Sequence, residues 1–188
     1  MKGIVFTEFL DLVEEKFGIH MVDDIINASE LDSGGAYTAV GTYKFAEMIS
    51  LLNQLSERTK LSVDELLYLY SQHFFKVIKV SYPGFVKMYS DPIEMLASIE
   101  DHIHVEVLKI YPDAQLPTFK TLEKSENTLV LDYLSSRAMY SFGLGLMHET
   151  FRHFNIDFDI QLEKLREDGT HVRFYIERKN GNSKSGGL

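Results

Sequence analysis

The amino-acid sequence predicts an α+β fold, in which an N-terminal helical lobe precedes a C-terminal lobe with a four-stranded antiparallel sheet and helices. Two observations lead to this class. As far as residue 111, apolar residues recur at the three-to-four-residue spacing of amphipathic helices. Beyond it, short apolar segments occur in pairs around turn residues, as they do in β-hairpins. This order of elements favours helices packed against a small antiparallel sheet.

The first part of the chain contains five predicted helices. Gly18 ends the first, and residues 29–42, which have three glycines and no periodicity, predict a loop. Ser62 is placed to cap the fourth helix, because Glu65 follows three residues later. The helices cover residues 2–17, 21–28, 43–59, 63–75 and 91–111, and the sequence SYPGF at 81–85 predicts a turn before the last of them.

The second part predicts two hairpins joined by a helix over residues 138–154. Turn residues separate the two strands of each hairpin, with Ser125–Asn127 in the first and Glu167-Asp168-Gly169 in the second. The predicted strands cover residues 119–124, 128–133, 157–166 and 172–176. Residues 181–188 are rich in Gly and Ser, which predicts a flexible tail.

Composition restricts the classes of function. The chain has 188 residues with 13 Phe and 10 Tyr, enough apolar surface for a large core and a lined cavity. A net charge of −9 without a basic run disfavours binding to nucleic acid or to anionic membranes. The absence of Cys excludes disulfides, thiolate metal sites and haem attachment through CxxCH, and it fits a reducing cytoplasm. The acidic N-terminal segment does not resemble a signal peptide, and no apolar run reaches about 18 residues, so no membrane span is expected.

The helix predicted over residues 90–111 contains a histidine on its apolar side. Asp91, Pro92 and Glu94 form a typical helix start, with Asp91 as the N-cap and Glu94 completing a capping box. The same periodicity places His104 towards the interior and His102 towards solvent. An interior histidine is either a core residue bonded to backbone or a ligand for a metal or haem, and periodicity does not distinguish the two. The apolar side contains Ile93, Leu96, Ala97, Val107, Leu108 and Tyr111.

A second group of polar residues follows the first predicted hairpin. Tyr133, Ser135 and Arg137 alternate, so that on an extended segment all three would lie on one face. Two hydroxyls and a guanidinium together suit a carboxylate-bearing ligand. The alternative is an ordinary strand end at which Arg137 pairs with an Asp or Glu of the protein itself.

His104, then Pro117, then Tyr133-x-Ser135-x-Arg137 together resemble the haem-nitric oxide/oxygen binding (H-NOX) family, sensor domains related to the haem domain of soluble guanylate cyclase. The segments MKGIVFTEFL, SYPGF and MYSFGLGL also resemble that family, and the resemblance covers about residues 1–180. It implies a single sensor domain of the stand-alone bacterial type. The haem would lie between a helical lobe of about residues 1–60 and a lobe of about residues 61–180 that carries the haem ligand and the sheet.

The resemblance implies a role for each of these residues. His104 would be the proximal ligand of a non-covalent b-type haem, and Tyr133, Ser135 and Arg137 would bind its propionates. Pro117 would press on the macrocycle and distort it. The distal pocket would be lined by Val5, Phe9, Phe142 and Leu146, although each of these four also suits an ordinary core.

Phe142 occupies the position at which oxygen-binding members of the family have a tyrosine. Phenylalanine cannot donate a hydrogen bond, and bound O₂ needs a donor more than NO or CO does. The sequence therefore predicts a sensor that binds NO and also CO and excludes O₂. An O₂-binding protein is the alternative if Tyr140, about 200° away on the same helix, reaches the pocket.

Catalysis by this chain is not expected. His148, Glu149 and His153 resemble a zinc-binding helix, but the two histidines are five residues apart and miss a common face. The resemblance implies instead that a separate histidine kinase or diguanylate cyclase/phosphodiesterase receives the signal. A sensor for another apolar or carboxylate ligand, or a protein-interaction module, remains the alternative.

Overall fold

The computed structural model describes residues 1–179 and confirms the α+β fold. The predicted tail at 181–188 lies outside these residues. The bounds of the first four helices lie within two residues of the predictions, except that α4 continues past residue 75 to Ser81. The predicted capping box is present, with the Ser62 N–H donating to Glu65 Oε2 at 2.8 Å. The first four helices are α1 Gly3–Phe17, α2 Ile19–Ala28, α3 Phe45–Thr59 and α4 Val63–Ser81.

The single helix predicted over residues 90–111 is wrong in one respect, because the segment is interrupted. The short helix α5 (Gly84–Lys87) precedes this segment. The segment itself consists of α6 (Pro92–Ala97), a π-helical turn (Ile99–Ile103) and α7 (His104–Ile110). The Ser98 carbonyl accepts bonds from the N–H groups of both His102 (2.9 Å) and Ile103 (3.2 Å), which widens the turn. An apolar periodicity of 3.6 residues does not reveal one extra residue in a helical turn.

The interruption rotates the residues that follow it. Leu108, predicted on the apolar side, is 39% exposed. His102, predicted to face water, is half-buried, with Nδ1 2.6 Å from the Tyr89 hydroxyl. At the start of the segment, Asp91 caps α6 as predicted, whereas the Glu94 carboxylate pairs with Lys124 instead of completing a capping box.

The sheet has four antiparallel strands in the order β1-β2-β4-β3, and both predicted hairpins are confirmed. Pairing of β2 with β4 joins the hairpins into one sheet. The helix between them, α8 (Tyr140–Phe154), begins later than predicted because Ala138 has a φ of 50°, outside the right-handed helical region. The strands are β1 Thr118–Lys124, β2 Thr128–Leu134, β3 Phe158–Lys164 and β4 His171–Arg178. Among residues 1–179, no helix has the length and apolar content needed to cross a membrane.

Apolar side chains form two core clusters. One joins α1 to α4 and includes Phe6, Phe9 and Tyr70. The other joins α6 and α8 to the inner face of the sheet and includes Phe119 and Phe151. Helix α4 belongs to the first cluster and α8 to the second, and these two helices pack directly against each other.

Gly145 allows the close approach of α8 to α4. A Cβ atom on Gly145 would lie 1.8 Å from Ser71 Oγ, which itself donates a hydrogen bond to the Tyr68 carbonyl at 2.6 Å. The two helices therefore cannot keep this separation with any larger residue at 145.

We expect Gly145→Ala to lower the free energy of unfolding by about 1–3 kcal/mol, the usual cost of inserting a methyl group into a packed interface. Gly143→Ala is the matched control on the same helix, because its Cβ would meet only Phe119 Cζ at 3.7 Å. In the control, the free energy of unfolding should be unchanged or should rise by up to about 1 kcal/mol, because Ala has a higher helix propensity than Gly. Urea unfolding of the two variants measures the difference, and equal changes in both would contradict the packing argument.

Candidate functional site

A cavity of about 320 Å³ lies between the two core clusters. Helices α4, α7 and α8 line it together with the start of α1 and the ends of β1 and β2. Its wall is predominantly apolar, with a small number of polar side chains, which is the usual composition of a ligand pocket. We call it the central cavity.

The central cavity brings together every predicted site residue except Phe9. The lining residues include His104, Pro117, Tyr133, Ser135, Arg137, Val5, Phe142 and Leu146. Phe9 is fully buried in the helical core, where its ring lies edge-on to Tyr70 with centroids 5.5 Å apart. Tyr70 in turn contacts the cavity residue Phe142, with ring centroids 5.1 Å apart, so Phe9 packs against Tyr70 behind the cavity wall.

The imidazole of His104 is positioned by its place at the start of α7. Its side chain is only 13% exposed, and Nδ1 is buried 3.3 Å from Glu100 Oε2. That distance is within ion-pair range, although the alignment falls outside hydrogen-bond geometry. Burial lowers the pKa of His104 more than Glu100 raises it. The ring is therefore neutral near pH 7, the form that binds metals, and Nε2 is the nitrogen on the side away from Glu100.

Tyr133, Ser135 and Arg137 line the same cavity, but not as an extended segment. Strand β2 ends at Leu134, and a turn follows in which the Ala138 N–H donates to the Ser135 carbonyl at 3.2 Å. The prediction of a continuous strand face was therefore wrong, while the turn still brings the three side chains to one wall. Burial raises the pKa of Tyr133, so its hydroxyl keeps its proton at neutral pH.

The guanidinium of Arg137 binds a neutral partner. Its two terminal nitrogens donate to the backbone carbonyl and to the side-chain Oε1 of Gln115, both at 2.7 Å. Within residues 1–179 no Asp or Glu forms a salt bridge with it, so the alternative of an ordinary ion pair does not apply there. Arg137 thus presents a full positive charge beside an apolar cavity.

Tyr140 does not line the central cavity. Its hydroxyl donates to Asp64 Oδ2 at 2.5 Å, near the start of α4, and Lys164 Nζ lies 4.6 Å from the centre of its ring. Ser141 donates to the other oxygen of the same carboxylate at 2.7 Å. These contacts fix the start of α8 against α4, so Tyr140 packs outside the pocket.

Sequence reasoning missed several polar residues around the site. Glu100 precedes His104 by four residues, a spacing that a helical wheel would have revealed as a neighbouring pair. Lys2 donates to Asp113 at 3.0 Å, and Thr42 donates to the other oxygen of that carboxylate at 2.7 Å. These contacts join residues far apart in the chain, and no local pattern indicates them.

Comparison with known proteins agrees with this architecture. The family model described as Haem-NO-binding matches residues 2–162. An H-NOX protein from K. algicida, solved in the Fe(II) unliganded state, is 62% identical, with a TM-score of 0.94 over 97% of this chain and 98% of that one. The fold is thus that of a haem-binding sensor domain. This chain belongs to the Haem-NO-binding, or H-NOX, family of haem-based gas sensors.

Two further solved structures are similar. The solution structure of an H-NOX from Shewanella woodyi, bound to IWP-051 in the Fe(II)CO state, is 33% identical, with a TM-score of 0.81 over the whole of both chains. An H-NOX protein from S. oneidensis in the Fe(II)NO state is 24% identical, with a TM-score of 0.86 over 96% of this chain and all of that one, and it supports the fold alone. No curated protein matched this chain.

Tyr140→Phe should lower stability without changing ligand binding. The variant loses a hydrogen bond to a carboxylate, which costs about 1.5–3 kcal/mol. Tyr175→Phe is the matched control, because the Tyr175 hydroxyl donates to the Glu163 carboxylate at an exposed position. Its loss should lower the free energy of unfolding by less. Urea unfolding gives the stability. Absorption spectra of the haem-loaded protein under CO and in air should stay unchanged, and a change confined to Tyr140→Phe would place that hydroxyl in the pocket after all.

Proposed function

We propose that this protein senses nitric oxide at a non-covalent b-type haem ligated by His104 and signals to a separate partner protein. The observation that carries the proposal is that one apolar cavity is lined both by a buried neutral imidazole and by Tyr133, Ser135 and Arg137. Haem needs all three of these features: a nitrogen ligand for the iron, an apolar environment for the macrocycle and hydrogen-bond donors for the two carboxylates. The absence of Cys excludes thioether attachment through CxxCH, which fits non-covalent binding.

The residues fit the cofactor by their chemistry. His104 would ligate the iron through Nε2, and Arg137 would exchange its amide partner Gln115 for a propionate. Tyr133 and Ser135 would add hydroxyl donors to the same carboxylates. Pro117 lines the cavity with His104 and would contact the macrocycle. CO is expected as a second ligand, as in the S. woodyi relative.

The distal side favours NO over O₂. When bound, the haem would supply an iron able to bind a diatomic gas. Val5, Phe142 and Leu146 offer that gas no hydrogen-bond donor. The nearby Tyr70 hydroxyl donates to the Val5 carbonyl at 2.7 Å and is fully buried, so it is already engaged.

Signal transfer would use α7 as the moving element. Loss of the bond between His104 and the cofactor would free the start of α7, next to the π-helical turn. Beyond the other end, Asp113 bonds Lys2 and Thr42 of the helical lobe, and the Tyr111 hydroxyl lies 2.8 Å from that of Tyr82, which follows α4. A shift of α7 would therefore move the two lobes relative to each other, with a coupling of about 1–3 kcal/mol. By family resemblance, the partner is a histidine kinase or a diguanylate cyclase/phosphodiesterase.

His104→Gly tests the proposal directly. Protein from haem-sufficient cells should show a Soret band, and the variant should lose it unless free imidazole is supplied. His102→Gly is the matched control, since His102 bonds Tyr89 and does not line the cavity, and it should keep the wild-type spectrum. Colourless wild-type protein would contradict haem binding. A His104→Gly protein with imidazole that still passed the NO signal unchanged would contradict the role of α7.

Phe142→Tyr should create an O₂-binding protein. A phenolic donor in the distal pocket would stabilise the partial negative charge on bound O₂ by about 1.5–3 kcal/mol, or about 10- to 100-fold in affinity. Phe142→Leu alters the same wall without a donor and serves as the control. Spectra of the reduced proteins in air give the result. A stable oxygen complex of the wild-type protein would show that the distal side does not exclude O₂.

A further inference from the structure

The Glu100 carboxylate lies between the imidazole of His104 and the start of the sheet. One oxygen, Oε2, is 3.3 Å from His104 Nδ1 and also accepts a hydrogen bond from the Phe119 N–H at 2.9 Å. The Phe119 ring in turn lies against the imidazole, with centroids 6.0 Å apart. A single carboxylate oxygen thus joins α7 to β1.

The π-helical turn brings Glu100 to this place. Glu100 belongs to that turn and precedes His104 by four residues, so the two side chains lie on one side of the helix. The Glu100 side chain is 44% exposed, whereas His104 Nδ1 is buried and, among residues 1–179, has no hydrogen-bond partner; Glu100 Oε2, at 3.3 Å, lies within ion-pair range of it. A buried ring N–H needs an acceptor, and Glu100 Oε2 is the acceptor at hand.

We infer that Glu100 is a positioning residue for the haem ligand His104. Its carboxylate accepts the Nδ1–H, fixes the tautomer that leaves Nε2 free for iron, and increases the electron donation of the imidazole. Carboxylates in this position have that effect on metal-bound histidines generally. The inference rests on the proposed function, in which His104 binds haem iron.

A more strongly donating imidazole would hold the haem iron more tightly and would oppose the loss of the His104 bond when NO binds. Glu100 would therefore set how readily the signalling step occurs. The bond from Phe119 N–H gives the carboxylate a fixed position on the sheet lobe, two residues after Pro117. Without the hydrogen bond from Phe119, the partly exposed Glu100 side chain would lose conformational entropy each time its carboxylate paired with His104.

Glu100→Gln separates this role from a structural one. The amide oxygen of Gln can still accept the bond from Phe119 N–H, so β1 keeps its contact, but the negative charge next to the imidazole is removed. Glu106→Gln is the matched control. Glu106 follows His104 by two residues on the same helix, but its carboxylate pairs with Lys109. Glu100→Asp, which keeps the charge on a shorter side chain, should behave as Glu100→Gln if reach is required.

Resonance Raman spectra of the reduced, haem-loaded proteins give the iron–histidine stretching frequency. Transfer of haem to an excess of a haem-binding apoprotein gives the rate of haem loss. We expect Glu100→Gln to lower the stretching frequency, to release haem about 10-fold faster and to raise the fraction in which NO has displaced His104. The control should match the wild type. Equal frequencies and rates in wild type, Glu100→Gln and Glu106→Gln would overturn the inference.

A measurement on the wild-type protein covers the case in which Glu100→Gln does not fold. The His104 Nδ1–H proton of the reduced haem protein is observable by NMR, and slow exchange with solvent is expected if Glu100 holds it. Fast exchange would overturn the inference. Failure of the proposed function is distinguishable, because it would appear as wild-type protein without a Soret band or with a Soret band that survives His104→Gly.

Discussion

The close packing of α4 against α8 is the contact on which the rest of the structure depends. It is made possible by Gly145, whose missing side chain leaves room for Ser71. At the start of both helices, Asp64 accepts bonds from Tyr140 and Ser141 and fixes their relative position. Because α4 belongs to the helical core and α8 to the core of the sheet, this contact sets the separation of the two clusters, and with it the width of the central cavity.

The chain of contacts around α7 follows from that separation. The two ends of α7 have different surroundings. At its start, the π-helical turn and Glu100 attach His104 to the sheet lobe through Phe119. At its end, Tyr111 contacts Tyr82, which follows α4, and Asp113 bonds Lys2 and Thr42 of the helical lobe. Under the proposed mechanism, a helix held in this way would transmit a change at His104 to both lobes, as a two-state element requires.

Much of the fold could be predicted because local sequence determines it. Apolar periodicity located the helices, and turn residues located both hairpins. The π-helical turn could not be predicted, because one extra residue in a helix leaves no compositional signal and depends on Ser98 accepting two backbone bonds. Phe9 shows a second limit. Its periodicity matches that of Val5, and only the tertiary position of Tyr70 directs it to the core.

Net charge and local charge lead to different conclusions about the ligand. The chain carries −9 overall, which disfavours large polyanions, yet the carboxylates of a haem need a cation at one point only. Lys2 and Lys44, which line a second, more polar pocket together with Arg137, are paired with Asp113 and Asp32. Arg137 instead bonds the neutral amide of Gln115. Exchange of an amide for a carboxylate gains a charge-assisted bond without breaking an ion pair, so Arg137 is the cation best suited to receive an anionic ligand.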